Sequence, residues 1–237
     1  MTDGALLDLW ESASAVAPVG RPLALLTAAF PHCRTEDLAA EPLGRCDALL
    51  AELRASLVGD GVEAVAGCPS CGGLVETAFS LGALGGDGGP DTAAELTTTV
   101  AGHDVHCRPV TLGDLIAVCG LADAESALIA RCAEIRRAGA AVPPEHLPQE
   151  VRAAVEEAMA AVDPRAETLL GLSCPACDTQ WWAAFDLAAF LWTEVERLAQ
   201  CLLVEVDTLA RAYGWRESDI LALGALRRRR YLDLVTS

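Results

Sequence analysis

"GCPSCGGLVETAFSL" occupies residues 67–81 and "SCPACDTQWWAAFDL" occupies residues 173–187. Aligned on the cysteines, the two stretches agree at Cys68/Cys174, Pro69/Pro175, Cys71/Cys177, Phe79/Phe185 and Leu81/Leu187. Ala83 and Leu84 then face Ala189 and Phe190 without a gap. A short apolar run leads into each pair, "VEAVAG" into the first and "ETLLGLS" into the second, and a further strand follows each. The repeated unit therefore reads as strand, knuckle, strand.

A CPxC turn offers two thiolates from one tight bend, half of the four-ligand tetrahedron that structural zinc prefers. Cys174 and Cys177 have no neighbouring Cys or His to complete a site of their own, and downstream only Cys201 remains, inside a helical pattern. One structural Zn2+ per chain, shared by Cys68, Cys71, Cys174 and Cys177, is the expected arrangement. "GHDVHC" leaves a second possibility open, a separate site built with His103, His106 or Cys107. A thioredoxin-type redox pair would need the motif to open a helix, whereas a strand follows each pair here. A closed four-thiolate site has no open position for water or substrate, which argues against metal catalysis.

Outside the repeat, helix dominates. Residues 1–60 read as an N-terminal helical region, with Leu49, Leu50, Leu53 and Leu57 on one face of a helix stopped by glycine. Residues 61–110 form the first knuckle half and include a hairpin, "ELTTTV" and "DVHCRPV" around the turn "AGH". Residues 111–165 form a helical insert. Thr111 and Asp114 make a capping-box variant at its start. A second helix is expected from about Asp123 to Gly139, carrying Leu128, Ile129, Cys132 and Ile135 inward, and a third over "QEVRAAVEEAMAAV". Residues 166–187 form the second knuckle half, and residues 188–237 a long helix and helical tail. From Leu187 to Tyr213 apolar residues recur in steps of 4, 4, 3, 4, 4, 3 and 4, a narrow stripe with Glu194, Glu196, Glu205 and Asp207 placed opposite. The expected fold class is α+β, mainly helical, with a duplicated zinc-ribbon-like β unit, the whole forming one composite domain.

The net charge of −17 disfavours a nucleic-acid binder. No apolar run approaches the ~18 residues of a membrane span, and the opening "MTDGALLDLWESAS" has acids where a signal peptide has basic residues. A cytoplasmic protein is expected. The four histidines sit in no catalytic motif, and "GALGGDGGP" lacks the lysine of a phosphate loop, reading instead as a flexible loop. No enzymatic activity and no small-molecule substrate are expected. Four consecutive arginines beside "YGWRESDIL" suggest a helix-turn-helix, but they point all round a helix and the overall charge opposes DNA. Tyr213, Trp215, Ile220, Leu221, Arg227, Arg228, Arg229, Arg230 and Tyr231 bring aromatic and arginine anchors together, the usual makings of a protein-interface hot spot.

The segment from "SCPACDTQWW" through "AYGWRESDILALGALRRRRYLDLV" resembles a family found with contractile phage tails and phage-tail-like contractile injection systems, similar to the baseplate-hub assembly proteins of T-even phages. "HCRPVTLGDLIA" and "LGRCDALLAELR" fit the same pattern, and the matching pieces touch about half the chain. The chain departs from the family at Asp178, where a glycine is usual, at Arg216, where a small polar cap is usual, and at Cys46, where arginine is usual. The resemblance implies a non-enzymatic baseplate component or assembly chaperone, partnered by baseplate or hub proteins and carried in the cytoplasm or in the assembled particle. The alternative from another class is a zinc-ribbon adaptor or transcription regulator that binds DNA or polymerase.

Overall fold

The structure, a computed structural model, describes residues 2–84 and 95–235. The flexible-loop reading of residues 82–90 is corrected at Gly82–Leu84, which form part of a single helical turn, and residues 85–90 lie outside the described residues.

Four helices come first: α1 (Asp3–Ser14), α2 (Arg21–Ala29), α3 (Thr35–Ala40) and α4 (Leu43–Val58). Thr2 caps α1 by accepting from the Ala5 N–H, and Gly59 with φ 93° ends α4. Then β1 (Gly61–Gly67) and β2 (Leu74–Ser80) form an antiparallel hairpin, with Val62 opposite Phe79 and Gly67 opposite Leu74. A single turn, α5 (Leu81–Leu84), follows.

The insert is a unit of mixed character. Its strands β3 (Leu96–Val100), β4 (His103–Cys107), β5 (Ala133–Arg137) and β6 (Ala140–Ala141) make one antiparallel sheet in that order. Helices α6 (Leu112–Val118), α7 (Ala124–Cys132) and α8 (Gln149–Val162) complete it. Two expectations are corrected. Strands β3 and β4 belong to this sheet and not to the first knuckle hairpin. The helix from about Asp123 to Gly139 ends at Cys132, and residues 133–137 are a strand. Ile135 is buried as expected, but as the partner of Val105 in β4. Pairing with an open strand edge outweighs the helical preference of "AEIRRAGA". Both hairpins of this sheet turn on an Ala–Gly pair with two positive φ angles, Ala101/Gly102 and Ala138/Gly139. That backbone matches the right-handed twist of the flanking strands. Val105, Ile129, Ile135, Val151 and Val155 form the insert's own core.

The second knuckle hairpin, β7 (Leu169–Ser173) and β8 (Gln180–Ala184), pairs Leu172 with Trp181. It leads into α9 (Leu187–Tyr213), the longest helix, which Asp186 caps through the Ala189 N–H at 2.9 Å and Gly214 ends in the left-handed region. The apolar stripe of α9 is covered internally. Leu187, Leu191 and Val195 join Leu9, Leu25, Leu26 and Leu50 in the main core, and Leu202 packs on Leu7. Further along, Val206 and Leu209 meet Ile220 from α10 (Glu217–Leu221) and Tyr231 and Leu232 from α11 (Ala225–Val235). Among the described residues, no helix is long and apolar enough to cross a membrane.

Two arginines lock this assembly. Arg54, buried in α4, donates Nε and one Nη to the Glu194 carboxylate at 2.7 and 2.8 Å, and its other contacts reach the carbonyls of Gly59 and Gly61. Arg228, 6% exposed, donates from α11 to Glu205 of α9 and to Asp3 of α1. Glu194 and Glu205 are therefore turned into ion pairs, a correction to the expectation that they line the outer side of α9. Arg216 makes no side-chain cap on α10, consistent with its standing where a small polar residue would accept the free N–H groups.

Candidate metal centre

The two knuckles are the same turn built twice. In the first, the Cys68 N–H donates to the Gly73 carbonyl at 2.8 Å and the Gly72 N–H to the Cys68 carbonyl at 2.9 Å. In the second, the Cys174 N–H donates to Thr179 at 2.9 Å and the Asp178 N–H to Cys174 at 2.9 Å. The residue after the second cysteine must be left-handed: Gly72 has φ 72° and Asp178 has φ 55°. Aspartate is among the few side chains that tolerate this region, so the missing glycine leaves the turn intact.

Folding brings the turns face to face. The Cys68 and Cys177 sulfurs lie 3.6 Å apart, those of Cys71 and Cys174 3.7 Å, and all four lie within 4.8 Å of one another. A regular tetrahedron with Zn–S bonds of ~2.3 Å has S–S edges of about 3.8 Å, so the four sulfurs fit a divalent thiophilic ion. Cys68 and Cys174 are buried beneath Val75 and Trp181, while Cys71 and Cys177 close the solvent side. Between the half-sites, Phe79 and Phe185 meet edge to face at 5.2 Å, so the equivalent phenylalanines of the two copies share one contact.

The thiols do not ionise alike. The Thr179 hydroxyl and backbone N–H push the Cys177 thiol down to about 6. Backbone N–H groups of Cys71 and Ser70 also lower Cys68, against its desolvation. At Cys71 the Gly73 N–H favours the thiolate, but the three neighbouring sulfurs outweigh it and push the group up to about 11. A dication among them would remove that repulsion and hold all four as thiolates.

The other possible metal ligands are not assembled. His103 and Cys107 point inward from β4, whereas His106 points to the opposite face. His103 Nδ1 lies 3.1 Å from the Ala101 carbonyl, and His106 is engaged with Thr97 and Glu95. Alternation along one strand separates the two imidazoles.

Sequence reasoning missed a cleft of about 610 Å³ between the main core, α6 and the second knuckle, lined by Arg21, Asp47, Phe185, Asp186 and Trp192 among others. Burial, then the charges of Asp186 and Asp163, push the Asp47 carboxyl up to about 7. The native state therefore holds this proton more tightly than the unfolded chain. Its contribution to stability is full below the ordinary carboxylate range and is lost as pH rises through about 7. Asp47→Asn should accordingly raise the thermal midpoint at pH 8 more than at pH 5. An equal effect at both values in paired melting curves would contradict this account.

The residues expected to contact a partner divide into two groups. Ile220 and Arg228 are corrected: both are buried, Ile220 in the core beneath α9 and Arg228 in its ion pairs. Tyr213 stacks on Trp215 at 4.7 Å, and Trp215 meets Tyr231 edge-on at 4.9 Å, an aromatic cluster that clasps the end of α9. Leu221 is half-buried, and Arg227, Arg229 and Arg230 are exposed.

No protein-family model, no curated protein and no solved structure matches the chain.

Proposed function

We propose that the protein is a non-enzymatic, zinc-stabilised structural component or assembly chaperone of the baseplate in a contractile phage-tail-like particle. The observation that carries the reading is the C-terminal segment from the second CPxC knuckle through the arginine-rich helix, whose pattern resembles proteins of such particles. The four-cysteine cluster supports it from a second direction. It joins two hairpins drawn from distant parts of the chain and offers no open coordination position, as a structural clamp requires and a catalytic metal does not. The metal is zinc, one per chain, since four thiolates in a tetrahedron select zinc among common redox-inert ions.

The role is tested in cells that produce the particle. Removing the chain should abolish contraction-competent particles, with sheath and tube proteins still made, and the Cys174→Ser chain should fail to restore them. Mass spectrometry of purified particles then separates a retained component from a transient chaperone. Normal particles in cells lacking the chain would refute the assignment.

A further inference from the structure

Helix α11 has two unlike faces. Inward, Arg228 reaches Glu205 and Asp3, and Tyr231 and Leu232 pack against the core beneath α9. Outward, Leu226, Arg230 and Leu234 follow one another at i, i+4 and i+8, which places them in one stripe along the helix. Leu226 is 77% exposed and Leu234 is 69% exposed. Arg227 lies on one flank of the stripe and Arg229 on the other. Among the described residues neither has a carboxylate within ion-pair distance, and Arg230 has only Asp233 at 3.8 Å. This is a fixed, basic, leucine-bearing ridge on a chain whose net charge is −17.

We infer that α11 is a docking helix whose Leu226–Arg230–Leu234 stripe seats in an apolar groove rimmed by carboxylates on a partner protein. The inference deepens the proposed assembly role and rests on it for the setting. Charge selects the partner: three outward guanidiniums gain most from Asp and Glu, to which arginine binds in a planar, two-pronged manner. The leucines select a protein groove over nucleic acid, since a phosphate backbone offers nothing to two exposed isobutyl groups. Anchors at i, i+4 and i+8 are the spacing by which helices are read in grooves. Because Arg228 already holds the inner face, little ordering cost remains to be met on binding.

The test uses the full chain in producing cells, with the photoreactive side chain benzoylphenylalanine in place of Leu226. Irradiation should give an adduct with one protein, the crosslinked peptide of which carries Asp or Glu. Arg227→Glu with Arg230→Glu should lower the adduct at least tenfold while metal content and circular dichroism stay unchanged. Reversing the partner's carboxylates to arginine should restore it. An adduct with nucleic acid, lipid or a second copy of the chain would overturn the inference, and so would an undiminished adduct from the double-glutamate chain. The two levels separate cleanly. An acidic partner from outside the particle supports the docking helix and removes the baseplate role. Full particle assembly with the double-glutamate chain, but none without the chain, removes the docking helix and keeps the role.

Discussion

The Cys174→Ser chain should lose its metal and its cooperative thermal transition together. Structural zinc contributes apparent binding energies of ~10 kcal/mol or more in small zinc-finger peptides. A typical domain has only ~5–15 kcal/mol of net stability, so losing the ion is comparable with losing the fold. Cys71→Ser should be nearly as severe although Cys71 is exposed, because ligation rather than burial sets the cost. Cys201→Ser, exposed and far from the cluster in sequence, serves as the control and should change stability by less than about 0.5 kcal/mol. Elemental analysis of protein purified without added metal should give one zinc per chain, and acid should release it as the thiolates protonate. A folded Cys174→Ser protein with an unchanged melting curve would rule out the clamp.

Asp114→Ala should destabilise the insert by about 3 kcal/mol, toward the lower end for breaking a buried ion pair. The Asp114 side chain is 2% exposed and accepts from Arg108 at 2.7 and 3.0 Å, from Arg131 at 2.9 Å, and from the Thr111 hydroxyl at 2.8 Å and N–H at 3.1 Å. Its removal strands two guanidiniums and the Thr111 N–H, although the Thr111 hydroxyl still caps the N–H of residue 114. The loss is moderated because both arginines keep partial access to water. Burial opposes ionisation of Asp114, but the bonds from Arg108, Thr111 and Arg131 prevail and hold its carboxyl well below the ordinary range. A depressed carboxylate contributes stability that is fully present above the unfolded value and lost as pH falls toward the native one. Denaturant midpoints of the native protein should therefore decline below about pH 4 with a steeper slope than those of Asp114→Ala. Parallel acid profiles would show that the carboxylate is not the hub.

The elements legible in the sequence are those written in short-range pattern. The CPxC turns, the hairpins beside them and the stripe of α9 each repeat a local rule, and the pairing of two half-sites followed from valence: each turn supplies two of four ligands. The capping box at Thr111 and Asp114 was readable too, but only as a cap. Nothing near Asp114 announces that Arg131, seventeen residues on, will turn back to share it. Strand β5 was hidden for a different reason. "AEIRR" alternates too briefly to compete with its helical composition, and only the waiting edge of β4 decides it. Arg54 and Arg228 look like ordinary charges on amphipathic helices. Their partners lie 140 and 225 residues away, and no local signal marks which arginine of a run will be swallowed by the core.

The pairing of Arg228 with Asp3 gives the protein a timetable. At ~5–20 residues per second of synthesis, a separation of 225 residues corresponds to roughly 10–45 s between the emergence of the two partners. Through most of that interval Leu7, Leu25 and Leu26 have no α9 to cover them. The first knuckle waits as well, for Cys174 follows Cys71 by 103 residues, or roughly 5–20 s at the same pace. Until then Cys68 and Cys71 are a two-thiol chelate open to oxidants and to the wrong ion. If the proposed zinc clamp is right, the yield of nascent chain should track both the shielding of its apolar helices and the supply of zinc during synthesis.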